Sequence, residues 1–182
     1  MRNFRNVAII ICDVQTKSIK NLFNSDTVIK NINLLLESKK YVKSFNTTIN
    51  SELVPEKLGQ TVASINRDNI DHVLCRNHYS ILDEKLDKIL VDRKIQEIIL
   101  VGMEIQWCIN QSVRDLSRRY LVNVPIDAVG NCKEKNEIPF KRLESHGAKL
   151  CLTDDIIAEN LDSFHDNASK WYLNYLKSKK GQ

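Results

Sequence analysis

The sequence predicts an α/β protein, a three-layer sandwich in which a six-stranded parallel sheet lies between helices on both faces. Several short segments, residues 7–12 and 98–102 above all, are apolar throughout, as strands buried on both faces are. Segments with helical periodicity alternate with them, which favours right-handed crossovers and a parallel sheet. A length of 182 residues is typical of one domain, so we expect a single domain over residues 1–182.

The strands are predicted from apolar runs that end in glycine or in polar residues. The second run has a weak pattern, and residues 51–69, which include Pro55 and Gly59, are interpreted as a loop with short helical turns. The predicted strands are residues 7–13, 43–49, 72–76, 95–102, 121–127 and 148–152.

The helices are predicted from apolar residues that recur every three or four positions, such as Val28, Ile32 and Leu35 in the first of them. Gly147 ends one helix as a C-cap, and the polar run beginning at Thr153 caps the next. The aromatic last helix is expected either to cover the sheet or to dock on a second subunit. The predicted helices are residues 26–40, 82–90, 108–119, 137–146, 153–161 and a C-terminal helix from about 163 to 179.

The charge balance and the hydropathy indicate neither a nucleic-acid surface nor a membrane span. The chain has 27 Lys and Arg against 23 Asp and Glu, a formal net charge of +4, and the basic residues are scattered rather than striped. The apolar run VAIIICDV is too short to cross a bilayer and lacks a signal-peptide cleavage pattern. We expect a cytoplasmic protein with a small-molecule substrate and no nucleic-acid or membrane partner, and we leave a mitochondrial address open.

The cysteines occur at irregular spacings and in odd number, which argues against a disulfide framework and fits a reducing compartment. They are Cys12, Cys75, Cys108, Cys132 and Cys151. Strand alternation predicts that Cys12 and Cys75 face away from the neighbouring Asp13 and Arg76 and pack in the core. A redox pairing of Cys12 with Cys108 is therefore not expected.

Three chemically capable residues follow predicted strands: Asp13, Arg76 and Cys108. In open parallel sheets the ligand crevice lies beyond the carboxyl ends of the strands, at a switch in strand order. Cys108 begins a predicted helix, where unpaired N–H groups and the helix dipole favour the nucleophilic thiolate. The pattern predicts covalent catalysis in which Cys108 attacks, Asp13 moves the proton and Arg76 holds Asp13 and stabilises charge. Backbone N–H groups around Trp107 and Cys108 are expected to hold the oxyanion.

These residues lie in segments that together resemble the isochorismatase-like cysteine hydrolases, from about residue 7 to residue 160. The order and the spacing of the segments carry the resemblance. The LGQTV loop and the GMExxxC turn are most similar to the eukaryotic isochorismatase domain-containing branch. The segments are IIICDVQ, SELVPEKLGQTV, RNHYSIL, VGMEIQWCINQSVRDL, AVGNCKEKNE and GAKLCLTDDIIAENL.

The resemblance implies a six-stranded sheet, a homo-oligomer such as a dimer or tetramer, and an Asp–Lys–Cys triad that Asp13 and Cys108 match. It also implies a cis peptide bond between Met103 and Glu104, in the turn before the cysteine, which would aim backbone N–H groups at the oxyanion. The residues expected to line the substrate pocket are Tyr79, Gln106 and His78.

Two residues depart from the family pattern. Arg76 stands in place of the family lysine, and arginine does not exchange protons at neutral pH although it can still orient Asp13. Trp107 stands where a smaller residue is usual, and it is expected either to narrow the pocket or to pack at a subunit interface. His78 is an alternative base for a Cys–His pair, although a solvated loop histidine is the favoured interpretation.

The metal-binding pattern of the related nicotinamidases, Asp-x-His-x-x-His after the second strand, is absent. The segment that we compare with it is Asn46-Thr47-Thr48-Ile49-Asn50. We therefore expect neither a metal nor a cofactor, and nicotinamidase activity is disfavoured.

The favoured function is a cysteine hydrolase that cleaves an amide or related acyl bond of a small molecule. The alternative is a catalytically impaired binding or regulatory protein on the same fold, because the family lysine is lost and Trp107 is bulky. A third hypothesis is a nuclease-like activity, to which one isochorismatase-domain lineage has been linked. The lack of a basic stripe and of a metal motif argues against it.

Overall fold

Six parallel strands form one sheet in the order β3-β2-β1-β4-β5-β6. The structure is a computed structural model and describes residues 5–131 and 137–179. The strands are β1 (Val7–Cys12), β2 (Phe45–Leu53), β3 (His72–Arg76), β4 (Glu97–Gly102), β5 (Leu121–Pro125) and β6 (Ala148–Cys151).

Helices connect the strands and cover both faces of the sheet. Short 3₁₀ turns lie at Ile19–Asn21 and Arg67–Asn69, and one π-helical turn spans Ile105–Ile109. The helices are α1 (Ser25–Ser38), α2 (Pro55–Leu58), α3 (Glu84–Asp92), α4 (Asn110–Leu116), α5 (Ile138–Ser145), α6 (Thr153–Glu159) and α7 (Asn167–Lys179).

Strand β1 separates two hydrophobic cores. Its side chains alternate, so that Ala8 and Ile10 join the core under α3, α4 and α5, whereas Ile9 and Ile11 join the core under α1, α6 and α7. All six residues of β1 are buried. The predicted three-layer α/β fold with a six-stranded parallel sheet is therefore confirmed.

The strand order places a topological switch between β1 and β4. The chain moves outward from β1 through β2 to β3 on one side, and from β4 through β5 to β6 on the other. Because the connections diverge at this point, a crevice opens beyond the carboxyl ends of β1 and β4, where parallel sheets bind their ligands.

The second strand is longer than predicted and runs to Leu53, so the assignment of residues 51–53 to a loop is wrong. Its pattern is weak in the sequence because buried polar residues interrupt it. Each of these has a partner in the fold: the Asn50 amide donates to Thr61 Oγ1 at 2.7 Å, and Ser51 Oγ accepts from Arg76 at 2.8 Å. Satisfied polar groups can be buried at modest cost, and the apolar pattern then fails to mark the strand.

Cys108 does not begin an α-helix, as the sequence suggested, but lies within the π-helical turn that precedes α4. The Ile109 N–H donates to the Glu104 carbonyl at 3.3 Å, five residues back, while Ile105 and Ile109 are both fully buried. The wider turn thus adds one residue before the regular helix, a feature that is frequent at functional sites.

The C-terminal helix α7 begins at Asn167, four residues later than predicted, because the Asp166 side chain accepts from Ser169 N at 2.6 Å and caps it. Trp171 stacks on Tyr41, with ring centroids 5.0 Å apart, and Tyr172 is buried. The helix therefore packs on its own chain, where Tyr172 joins the core that also holds Ile9 and Ile11 of β1. Docking of this helix on a second subunit stays a prediction. Within the described ranges, none of the helices is long and apolar enough to cross a membrane.

Candidate active site

Arg76 and Asp13 meet across the carboxyl end of the sheet. Arg76 is the last residue of β3 and Asp13 follows β1, so the two lie two strand spacings apart, about 9–10 Å along the sheet. The long arginine side chain spans this gap over Ser51 of β2. Arg76 Nη1 donates to Asp13 Oδ1 and Nη2 donates to Asp13 Oδ2, both at 2.7 Å. Nη1 also donates to Ser51 Oγ at 2.8 Å.

The ion pair is sealed from solvent. The exposed fraction is 1% for the Arg76 side chain and 5% for that of Asp13. Burial opposes the charge of Arg76, but the charge and the hydrogen bonds of the Asp13 carboxylate outweigh it and raise the pKa of the guanidinium. Arg76 is therefore a fixed cation, whose partners are the paired carboxylate oxygens of Asp13 and the Tyr79 carbonyl at 3.2 Å.

Cys12 faces the same site as Asp13, and the prediction that it faces away is wrong. Strand alternation ends at Cys12, because Asp13 has φ +56° and turns the chain. Cys12 Sγ lies 3.4 Å from Asp13 Oδ2 and 3.6 Å from Arg76 Nη2. Burial, followed by the contact with the Cys108 side chain and the charge of Asp13, raises the pKa of the Cys12 thiol.

Cys75 does alternate with Arg76 as predicted, but it is exposed rather than packed in the core. The reason is that β3 is an edge strand whose outer positions lack a covering helix, so that Val73 beside it is also exposed.

The Cys108 sulfur joins this cluster from the other side of the crevice. Its Sγ, the Cys12 Sγ and an Asp13 carboxylate oxygen all lie within 4.8 Å of one another, and Cys108 is 4% exposed. Ser112 fixes the turn: its hydroxyl donates to the Cys108 carbonyl and accepts from Ile81 N at 3.0 Å. The structure thus brings together the three residues that the sequence nominated for catalysis.

The turn between β4 and Cys108 is anchored on the end of β1. Met103 N donates to the Cys12 carbonyl at 2.7 Å, and the Met103–Glu104 peptide bond is cis, as the resemblance implied. The Trp107 N–H donates to the Glu104 carbonyl at 3.0 Å. The Trp107 N–H, which was expected to bind the oxyanion together with the Cys108 N–H, is therefore already hydrogen-bonded. The Cys108 N–H is the candidate oxyanion donor of these two.

A cavity of about 260 Å³ opens directly above Cys108 and Asp13. Its walls are mostly apolar, and two exposed aromatic rings, Tyr79 and Trp107, form its rim with centroids 6.1 Å apart. Of the two alternatives predicted for Trp107, a narrowed pocket or a subunit interface, the position of its ring at the rim agrees with the first. The other lining residues are Ser18, Leu53, Leu58, Met103 and Glu104.

Two of the three predicted pocket residues do not line this cavity. Tyr79 does, but Gln106 lies two positions before Cys108 in the helical turn, and residues at that spacing face different directions. His78 is an exposed residue of the loop after β3. Its exposure removes the support for a Cys–His pair in which His78 acts as the base.

The donor atoms of Cys12, Asp13 and Cys108 are close enough to share a metal ion, but their chemistry favours another arrangement. Both Asp13 oxygens already accept from the guanidinium, a cation that a metal would have to displace or adjoin. The segment that we compared with the nicotinamidase motif, residues 46–50, lies inside β2 rather than after it. The residues that do follow β2, VPEKLGQ, contain no histidine either.

Sequence reasoning missed three residues of the site: Cys12, Ser51 and Ser18. Ser51 could have been found, because it is a polar residue that precedes the end of a buried strand next to β1. Ser18 lines the cavity, and its buried hydroxyl has no hydrogen-bond partner among the residues described. No periodic signal marks it, because it lies in the irregular loop between β1 and α1.

Known proteins resemble the chain over nearly its whole length. The family model of the isochorismatase domain matches residues 7–155. Isochorismatase family protein 2B of Dictyostelium discoideum is 26% identical over 179 residues, covering 92% of this chain and 83% of that protein. Isochorismatase domain-containing protein 2 of Danio rerio is 26% identical over 164 residues, covering 87% of this chain and 81% of that protein.

Residues 132–136, which hold Cys132 and part of the AVGNCKEKNE segment, lie outside the described residues.

A solved structure is also similar to the chain over nearly its whole length. The structure of MAR1 ribonuclease from Caenorhabditis elegans matches with a TM-score of 0.84 and 26% identity, covering 95% of this chain and 90% of that one. The family match, the fold and the eukaryotic relatives support the same family assignment. The chain belongs to the isochorismatase-like hydrolase family.

Proposed function

We propose that the protein is a metal-independent cysteine hydrolase that cleaves an amide or related acyl bond of a small molecule, with Cys108 as the nucleophile. One observation carries the proposal. The Cys108 sulfur lies at the floor of an apolar cavity, within 4.8 Å of a buried carboxylate that a fixed cation holds on both oxygens.

The reaction divides into two steps that use the same proton carrier. Asp13 takes the thiol proton, the Cys108 sulfur attacks the carbonyl carbon, and Asp13 returns the proton to the leaving nitrogen as the C–N bond breaks. Water then attacks the thioester, giving its proton to Asp13, and the proton returns to the Cys108 sulfur as the acid leaves. The distance between the Asp13 and Cys108 groups suits transfer through one water or after a small side-chain rotation.

Arg76 acts by charge and position rather than by proton transfer. A guanidinium stays protonated at neutral pH, so Asp13 rather than Arg76 carries the proton in this mechanism. The two hydrogen bonds from Arg76 leave little freedom to the carboxylate. The cation also offsets negative charge that develops on the sulfur and on the carbonyl oxygen. The Cys108 N–H in the π-helical turn is our candidate donor to that oxygen.

The cavity fits a small and uncharged acyl group. A volume of about 260 Å³ is below the range of drug-sized pockets. The Tyr79 and Trp107 rings favour a flat apolar group, and the unpartnered Ser18 hydroxyl offers one polar contact. The carboxylates of Asp13 and Glu104 line the wall and disfavour an anionic substrate.

The resemblance to a ribonuclease favours RNA as a second candidate substrate, because that structure is 26% identical over almost the whole chain. The charges of the cavity argue against it. A phosphodiester needs cations nearby, and the guanidinium closest to Cys108 already has the Asp13 carboxylate as its partner. We therefore keep RNA as an arm of the test rather than as the proposal.

The test is hydrolysis of a panel of small neutral carboxamides and N-carbamoyl compounds, measured as ammonia release. We expect at least one member to be turned over by the wild type and by Cys75→Ser, whose cysteine is exposed on the opposite side of β3 from Arg76, but not by Cys108→Ser. Turnover that survives in Cys108→Ser would exclude Cys108 as the nucleophile. Cleavage of an RNA oligomer without any amide turnover would establish the ribonuclease alternative. No turnover in any arm would favour the binding or regulatory protein.

We also propose that the protein works as a cytoplasmic homo-oligomer without nucleic-acid or membrane partners. Sedimentation of the purified chain tests the oligomer, since a dimer or tetramer differs clearly in mass from a monomer of 21.0 kDa. A monomer at all concentrations would contradict this part alone.

A further inference from the structure

Two thiols share the site, and only one of them faces the cavity. Cys108 lines the cavity, whereas Cys12 is fully buried behind it and does not contact the cavity. Their sulfur atoms lie within 4.8 Å of each other. The proposed hydrolysis uses the Cys108 sulfur and leaves Cys12 without a role.

We propose that Cys12 and Cys108 form a redox pair, in which a small hydroperoxide oxidises Cys108 and Cys12 then closes a Cys12–Cys108 disulfide that blocks the site reversibly. Only the loss of hydrolysis rests on the proposed function, because formation of the disulfide does not require turnover. This reverses the expectation drawn from strand alternation, which the turn at Asp13 overrides.

The first step consumes one equivalent of hydroperoxide. Asp13 takes the proton of the Cys108 thiol, the sulfur attacks the outer oxygen of the peroxide, and the O–O bond breaks. The other oxygen receives that proton from Asp13 and leaves as an alcohol or, from hydrogen peroxide, as water. The sulfur loses two electrons to the peroxide and becomes a sulfenic acid. Cys108 is the sulfur that can react first, because the cavity gives a small peroxide access to it and not to Cys12.

The second step forms the disulfide and releases water. The Cys12 thiol already lies 3.4 Å from Asp13 Oδ2, which accepts its proton, and Arg76 Nη2 lies 3.6 Å from the same sulfur and stabilises the thiolate. The Cys12 sulfur attacks the Cys108 sulfur and the S–O bond breaks. The departing hydroxide takes the proton from Asp13. In sum, two thiols and one hydroperoxide give a disulfide, an alcohol or water, and one further water.

The backbone around the two sulfurs is already joined. Met103 N donates to the Cys12 carbonyl at 2.7 Å, so the turn that carries Cys108 is fixed to the end of β1. To form the disulfide, the sulfurs must close from within 4.8 Å to about 2 Å.

The chemistry of the remaining described cysteines makes the pairing selective. Cys75 is exposed on the opposite side of β3 from Arg76, and Cys151 ends β6, on the far side of the sheet. Burial raises the pKa of Cys151 to about 12, so that it stays a thiol and reacts slowly. Cys12 itself rests as a thiol for the same reason, and it becomes reactive towards Cys108 only through the adjacent Asp13 and Arg76.

The test is peptide mapping by mass spectrometry under non-reducing conditions after one equivalent of hydrogen peroxide. We expect a peptide pair joined through Cys12 and Cys108, lighter by two hydrogens and reversed by dithiothreitol, in the wild type and in the matched control Cys75→Ser. A second arm uses excess hydrogen peroxide, because the step from sulfenic to sulfinic acid consumes a further equivalent. In Cys12→Ser and in Cys12→Ala, which serves if the serine variant misfolds, Cys108 should then reach the sulfinic acid about tenfold faster than in the wild type, since nothing resolves the sulfenic acid.

Two results would overturn the pairing. One is a folded wild type in which Cys108 becomes sulfinic acid and no Cys12–Cys108 peptide forms. The other is an equal rate of overoxidation with and without Cys12. Because the readout is the mass of the peptides, a disulfide that forms in a protein without amide turnover would contradict only the proposed hydrolysis.

Discussion

The guanidinium of Arg76 holds the carboxylate of Asp13 through two hydrogen bonds of 2.7 Å each, although the residues are 63 positions apart in the chain. Ser51 lies between them on β2 and accepts a third hydrogen bond from the same guanidinium. This contact joins β1, β2 and β3 at the edge of the crevice. The ion pair is therefore both a structural tie and the electrostatic centre of the candidate active site.

Removing Arg76 should destabilise the fold strongly. Arg76→Met leaves the Asp13 carboxylate buried without its cation, which costs about 3–5 kcal/mol of the free energy of unfolding. Asp13→Asn in the Arg76→Met background should recover part of that loss, because the uncompensated charge is gone. Urea unfolding measures both. The matched control is Arg119→Met, which breaks an exposed ion pair of equal length with Asp87 and should cost about 1 kcal/mol or less. Equal losses for the two arginines would contradict this reasoning.

Arg76→Lys should retain turnover. The family resemblance implies that lysine is usual at this position. In the proposed mechanism Arg76 contributes a positive charge and transfers no proton. We expect turnover of the best substrate from the carboxamide panel to stay within about tenfold of the wild type, while the free energy of unfolding falls by about 1–3 kcal/mol because lysine makes fewer hydrogen bonds. Complete loss of turnover in a folded protein would mean that the site depends on the two-pronged guanidinium contact.

Gly102→Ala should disrupt the site from its backbone. Gly102 has φ +108°, and a Cβ atom there would lie 2.1 Å from the Cys12 carbonyl oxygen. The disfavoured backbone conformation and the backbone clash both destabilise the fold. We therefore expect the free energy of unfolding to fall by about 3 kcal/mol or more. Gly147→Ala is the control, since φ is +97° there but the nearest contact is a Ser117 side-chain atom at 3.1 Å. Thermal unfolding compares them, and an equal loss for both variants would disprove the clash.

Asp71→Asn should lower stability at neutral pH and lose that effect in acid. Burial of Asp71 works against ionisation, but Lys39 and the Thr48 N–H outweigh it and lower the pKa of the carboxyl. A lowered pKa in the folded state gives stability that is present above the unfolded value, near pH 4, and is lost as the pH falls through the folded value.

A third of the Asp71 side chain is exposed, so solvent screens the interaction and we expect a cost of about 1 kcal/mol at pH 7. Unfolding by urea at pH 7, and at a pH well under 4 that lies below the lowered folded-state pKa of Asp71, measures the difference between the wild type and the variant. Asp92→Asn, which removes an exposed ion pair with Lys88, is the control and should change little at either pH. A cost for Asp71→Asn that persists at the lower pH would contradict the assigned pKa direction.

Most of the sheet could be predicted from the sequence because its central strands are apolar. The strands at residues 7–13 and 95–102 agree with β1 and β4 to within two residues, and β3 agrees at both ends. Strand β2 was the exception, since buried polar side chains such as Asn50 and Ser51 form hydrogen bonds with partners distant in sequence. Pairings of that kind depend on tertiary contacts, which periodicity does not reveal.

The candidate site was predictable in its three main residues and not in their surroundings. Strand ends place Asp13, Arg76 and Cys108 at one edge of a parallel sheet, so that their meeting follows from topology. The position of Cys12 depends on the left-handed backbone of Asp13, which a sequence does not encode for a non-glycine residue. Gln106 lies two positions before Cys108 in the helical turn, and residues at that spacing face different directions, which explains the error at Gln106.

The rate at which iodoacetamide alkylates each cysteine decides whether Asp13 activates Cys108 as a nucleophile. Peptide mapping during limited alkylation gives the rates for Cys108 and for Cys75 in the same sample. We predict that Cys108, although only 4% exposed, reacts faster than the exposed Cys75, and that Asp13→Asn removes this advantage. A Cys108 that reacts more slowly than Cys75 in the folded wild type, or that is indifferent to Asp13→Asn, would contradict the assignment of Cys108 as a nucleophile that Asp13 activates.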